Sequence, residues 1–128
     1  MIAHATIAVG DYATAKEFYL SALKPLGYAL TDDHPEWKAG GYKEGNNTSF
    51  WIGQKENVQG GHVAFEAKNQ EEVDGFYKAA LASGGKDNGA PGYRTDYWPG
   101  YYAAFVHDKD GNNIEAVWFD YSKVKEDK

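Results

Sequence analysis

Two histidines and one glutamate are the residues through which this chain could do chemistry. His4 and His62 each open a stretch that says the same thing. Phe18, Tyr19, Ala22, Leu23 and Gly27 follow His4 at the intervals at which Phe76, Tyr77, Ala80, Leu81 and Gly85 follow His62. Further on, Gly45-Asn46-Asn47 recurs as Gly111-Asn112-Asn113, and Glu115 comes two residues after the second of these. Two imidazoles and a carboxylate can hold a divalent metal while leaving coordination positions open for water or substrate. Such an ion polarises a carbonyl and lowers the barrier to moving a proton beside it. Other chemistries find no support. The chain has no cysteine, which excludes disulfides, thiolate metal sites and cysteine nucleophiles. No serine sits in a nucleophile-elbow sequence, and no glycine run has phosphate-binding spacing. Asp108-Lys109-Asp110-Gly111-Asn112 fails as a calcium loop, because the sixth position is Asn113 and the twelfth is Phe119. It reads as a hairpin turn.

A repeat of about sixty residues means one folding unit duplicated and fused. Each copy reads as strand, helix, then three strands. Ile2–Val9 is apolar and rich in β-branched residues, which predicts a strand. Asp11 can cap a helix whose buried stripe is Ala15, Phe18, Tyr19, Ala22, Leu23 and Leu26, with Pro25 in the last turn and Gly27 as the left-handed stop. In the second copy His62–Ala67 is the strand, and Asn69 with Glu72 forms a capping-box-like start. Val73, Phe76, Tyr77, Ala80 and Leu81 make the second stripe, which Gly84-Gly85 ends. The remaining strands are expected at 28–32, 36–43 and 47–53, then at 93–97, 101–107 and 112–119, with Lys86–Gly92 as the main extra loop. The expected fold class is α+β: two tandem βαβββ modules forming a curved, cup-shaped mixed sheet with helices on the outer face. One domain spans 1–128, with module one at about 1–54, module two at about 61–119 and a polar tail at 120–128 that is expected to fray.

Residues two apart in a strand share a face. If the helices cover Ile7, Val9, Val63 and Phe65, the opposite face carries His4, Thr6 and Ala8 in the first copy and His62, Ala64 and Glu66 in the second. The same alternation sets Glu115, Val117 and Phe119 beside the histidines, so His4, His62 and Glu115 are expected to converge. Thr6 and Ala64 are small and leave room for a ligand. Trp51 shares the face of Ser49, and Tyr97 and Trp98 add aromatic wall of the kind a small organic molecule wants. The only arginine, Arg94, is a candidate bidentate anchor for an anion. His34, beside Pro35, reads as a turn residue, and His107 as a strand end or pocket rim.

Composition narrows the partners. The net charge of −6 disfavours a nucleic-acid partner, since phosphate binding needs a basic face. No apolar run approaches a membrane span, and MIAHATIAVG lacks the form of a signal peptide. A cytoplasmic protein that contacts no membrane is expected. The open cup and sheet edges favour a homodimer.

The tracks HATIAV and HVAFEA, each followed by its helix with Phe-Tyr and a glycine stop, and the ending DKDGNNIEAV resemble the vicinal oxygen chelate superfamily over nearly the whole chain. That group includes glyoxalase I, extradiol dioxygenases and bleomycin-resistance proteins. The resemblance implies metal ligands from the first and last strand of each module, which match His4, Ser49, His62 and Glu115 here. Glyoxalase I enzymes usually carry a carboxylate at the Ser49 position; this chain does not. A three-ligand site is therefore expected, with water or substrate filling the vacated position. The implied cofactor is one divalent ion: Zn, Ni, Fe, Mn or Co. The implied activity is a glyoxalase-like lyase or isomerase acting on a small oxygenated metabolite, with Glu115 as the catalytic proton carrier. Two alternatives share the fold: an Fe(II) dioxygenase and a non-enzymatic, resistance-type protein that sequesters a small molecule or antibiotic.

Overall fold

The computed structural model describes residues 2–124; Met1 and the end of the tail expected to fray, 125–128, lie outside the described residues. In the first half, β1 (Ala5–Val9) leads into α1 (Tyr12–Leu23), whose start is fixed by Asp11: its Oδ2 accepts the Thr14 N–H at 3.0 Å. Pro25 turns the helix end into a single 3-10 turn, and Gly27 closes it at φ +88°. β2 (Ala29–His34), β3 (Ala39–Glu44) and β4 (Asn47–Gln54) complete a four-stranded sheet in the order β1-β4-β3-β2, with β1 parallel to β4 and the other pairs antiparallel.

The second half repeats the plan. β5 (His62–Glu66) precedes α2 (Gln70–Ala82), where the Asn69 side chain accepts the Glu72 N–H and Glu72 reaches back to the Lys68 N–H. β6 (Lys86–Asp87), β7 (Gly92–Tyr93), β8 (Tyr101–His107) and β9 (Asn113–Phe119) form the second sheet, ordered β5-β9-β8-β6 with β7 also on β8. The fold class is α+β, built on two mixed sheets. The strand expected at 93–97 is replaced by a turn in which the Arg94 carbonyl accepts from the N–H groups of Tyr97 and Trp98. The short pairing segments fall earlier, at β6 and β7, inside the stretch read as loop. Likewise β3 begins only at Ala39, because Pro35–Lys38 forms a turn with Lys38 at φ +54°.

One apolar cluster spans both halves: Phe18, Tyr19 and Leu23 of α1, Val73 and Phe76 of α2, and the inward residues of both sheets. Phe50 of the first sheet meets Phe65 of the second edge to face, with centroids 4.9 Å apart. The Asp-Lys-Asp-Gly-Asn turn joins the halves by polar contacts as well. Buried Asp108 accepts from the Tyr19 hydroxyl on α1 and from Asn112 Nδ2. Asn112, also buried, donates to the Ala8 carbonyl of β1 and accepts from the Gly61 N–H. Each polar group in this joint has its partner, which is what makes its burial tolerable. Among the described residues no helix is long and apolar enough to cross a membrane.

Candidate functional site

Ile7, Val9, Phe65, Ile114 and Ala116 enter the core, so the residues between them face away from the helices. On this open face of the second sheet the register pairs Glu115 with Ala64 on one side and Phe105 on the other. Glu115 is thus central and only 2% exposed. A carboxylate so placed needs partners, and it has two. The Tyr101 hydroxyl donates to Oε2, and His62 Nε2 lies 3.0 Å from Oε1. Burial first, then the neighbouring carboxylate, holds the Tyr101 phenol well above its ordinary value, so it stays a donor.

The other nitrogen of His62 fixes its tautomer. Nδ1 lies 3.0 Å from the Asn113 carbonyl oxygen, which can only accept, so Nδ1 carries the hydrogen. In a neutral ring, Nε2 then directs a lone pair at Glu115 Oε1. Two electron-rich atoms at that separation repel unless a cation accompanies them. A proton on Nε2 would make an imidazolium–carboxylate pair; a metal ion would bind both. A backbone carbonyl holding the far nitrogen is the outer-shell arrangement that orients a metal-ligating histidine. His62 is half-exposed and open to a third donor. These two residues fit a divalent ion.

The third expected ligand is elsewhere. His4 precedes β1 on the first sheet and lines a separate cavity of about 440 Å³ with Thr6, Ala39, Thr48, Trp51 and Gly53. Among the described residues no three His, Asp or Glu side chains gather closely enough to hold an ion. The expected convergence therefore fails within one chain. Alternation assigns a residue to a face of its own sheet, and the strands here make two sheets rather than one continuous cup.

Ser49 also departs from expectation. The β3–β4 register slips between Tyr42 and Lys43: Tyr42 pairs with Phe50, but Lys43 pairs with Thr48. Ser49 is the extra residue of this bulge, which reverses the alternation across it. A Cβ placed at Gly41 would meet both Thr48 Cγ2 and the Trp51 ring, so Thr48 and Trp51 share the open face. Ser49 instead has Tyr28, which packs against the core, as a side-chain neighbour. Since Thr6 pairs with Trp51 as Ala64 pairs with Glu115, the position answering to Glu115 is Trp51.

The remaining expected wall residues divide. Ala64 is exposed beside Glu115, and Val117 is buried on the same face. Tyr97 and Phe119 contact the Tyr101 ring edge to face, and Trp98 contacts Phe119. Arg94 spends two guanidinium N–H groups on its own loop, at the Ala90 and Gly92 carbonyls, and lies over the Phe105 ring at 5.4 Å. His34 is the last residue of β2 and stacks on Trp37 rather than sitting in the turn. Tyr101 was not anticipated as a partner of Glu115. It pairs with Phe119, and its length carries the hydroxyl along the strands to the carboxylate. Alternation in 101–107 puts Tyr101 on the right face, but only the β8–β9 register reveals what it reaches.

The sequence profile of the Glyoxalase/Bleomycin resistance protein/Dioxygenase superfamily matches residues 1–116, and the chain belongs to that superfamily. Solved structures agree on the fold. A glyoxalase/bleomycin resistance protein from Albidiferax ferrireducens T118 is 27% identical, with a TM-score of 0.79 over 91% of this chain and 97% of the other. A glyoxalase/bleomycin resistance protein/dioxygenase family enzyme from Burkholderia phytofirmans PsJN is 14% identical, TM-score 0.70, over 93% and 98%. A lactoylglutathione lyase from Agrobacterium tumefaciens is 19% identical, TM-score 0.68, over 92% of each chain. No curated protein matches.

Proposed function

We propose that this protein is a metal-dependent, glyoxalase-like lyase or isomerase for a small metabolite with two adjacent oxygens. One observation carries the reading: His62 Nε2, freed by the Nδ1 contact to the Asn113 carbonyl, faces Glu115 Oε1 at 3.0 Å. Because His4 lies on the other sheet's open face, the third ligand is His4 of the partner subunit in a homodimer, which makes two equivalent sites per dimer. When bound, the divalent ion (Zn, Ni, Fe, Mn or Co) polarises a substrate carbonyl and acidifies the adjacent C–H. Tyr101 fixes Glu115 Oε2, so Oε1 is the atom that meets the ligand side of the site. Oε1 would help hold the ion and, on moving off it, would accept the substrate proton and return it to the neighbouring carbon. Ala64, which pairs with Glu115, projects only a methyl group beside it. A cytoplasmic setting belongs to the same proposal, and a cysteine-free chain suits it.

The His62–Glu115 contact also supports a second reading, a binding protein in which it is a plain ion pair. Mixing separates the two. His4→Ala and Glu115→Ala homodimers should each lack tightly held metal and activity. After unfolding and co-refolding in equal amounts, half the dimers carry one intact site, restoring about a quarter of wild-type metal content. Failure to restore any metal would rule out a site shared between subunits, and an untagged wild type that never retains metal would leave the ion-pair reading.

A further inference from the structure

We infer that Trp51 is the platform of a subsite for a planar, π-conjugated ring: the body of the molecule whose oxygens meet His62 and Glu115. Only the identity of that oxygen-bearing end rests on the proposed function; the platform stands on the first sheet alone.

Four observations meet at this residue. The register gives Trp51 the place that Glu115 has in the second sheet, so the first open face offers a ring where the other offers a charge. The indole lies over Gly41, where a Cβ would come within 2.8 Å of its Cε2 and Cζ2 atoms. No other residue type leaves room for the ring to settle on the backbone there, and Trp51 nevertheless remains half-exposed. Neighbouring rings share its orientation: His34 is parallel to it within 11°, with centroids 6.3 Å apart, and Trp37 is parallel to His34 within 22° at 4.3 Å. Trp37 itself is 70% exposed, which is unusual for so large an apolar side chain with no partner beyond the stack. Finally, the cavity of about 440 Å³ over this floor is walled by His4, Thr6, Ala39, Thr48 and Gly53, and its lining holds no carboxylate, lysine or arginine. A recess of this size with a flat aromatic floor and small walls selects for a thin, π-faced group.

The test compares 2-naphthol with its fully saturated decahydro analogue, which has similar size and the same hydroxyl. Binding is followed on chelator-treated protein and again after metal addition, by NMR of the indole N–H groups and of the ligand protons. The wild type should bind the aromatic compound about tenfold more tightly. Its protons should move upfield from the indole ring current, and the Trp51 Nε1–H signal should shift. Trp51→Leu should remove the preference, while Trp51→Phe should keep most of it. Equal binding of the two compounds by wild type, or an undiminished preference in Trp51→Leu, overturns the inference. His62→Ala keeps the outcomes separate: the subsite predicts that this variant retains the aromatic preference whether or not the protein holds metal. If the wild type shows the preference but no metal, the proposed function fails while the platform stands.

Discussion

The two open faces share one repeated plan and have been put to opposite uses. On the second sheet, an unslipped β8–β9 register presents Glu115 to His62 and Tyr101, a buried charge with every oxygen occupied. On the first, a one-residue bulge at Ser49 turns Thr48 outward and sets Trp51 across Gly41. One face offers a carboxylate and an imidazole, the other a ring. A duplicated sheet can thus set a ring where its twin sets a carboxylate by moving one strand two residues along, without changing its topology.

The largest expected effect tests the charged face. Glu115→Ala should weaken metal binding by at least about 100-fold, read by competition with a chromophoric chelator, whereas Trp51→Ala should leave it unchanged. Equal losses in both variants would mean that the faces are not specialised as described.

Next comes the joint. Asn112→Ala removes a buried side chain that serves both Ala8 and Gly61, and should destabilise the protein by about 2–3 kcal/mol in chemical denaturation. Its counterpart in the repeat, Asn46, is exposed. Asn46→Ala should change stability by less than about 0.5 kcal/mol. Similar values for both would mean that the second copy has no special share in joining the halves.

The smallest effect sharpens the register. Trp51→Glu places a carboxylate where the second sheet has one, and should tighten metal binding by about tenfold. Ser49→Glu should give no gain, because Ser49 is the unpaired residue of the bulge and lies off the open face that Thr48 and Trp51 share. A gain from Ser49→Glu alone would show that the bulge is absent in solution.

Much of this was legible before any coordinates. The histidine-led repeat specified two units. Helical spacing located both stripes, except that Leu81 of the second is exposed, and Asp11, Gly27 and Asn69 marked their ends. Alternation assigned His62, Ala64, Glu115 and Val117 to the helix-free side. The bulge could not be read, because Thr48-Ser49 carries none of the glycine or proline that announces an irregular strand. Tyr93–Trp98 looked like a strand because its aromatics favour one; Arg94, bonding its own loop, holds it as a turn instead. His4 was misplaced for a different reason: periodicity says which way a side chain points, not which sheet stands opposite.

The contact between Asn112 and Ala8 spans 104 positions in the chain. Both β1 and β5 are outer strands of their sheets, and this side chain helps to close the seam between them. During synthesis at about 5–20 residues per second, β1 waits roughly 5–20 s for its late partner. Over that interval the nascent first half presents a bare strand edge, the kind of surface on which chains pair with the wrong neighbour. Closure of this seam waits for Asn112, so losing the turn that carries it should leave the outer edge of a β1 that is already made with nothing to join.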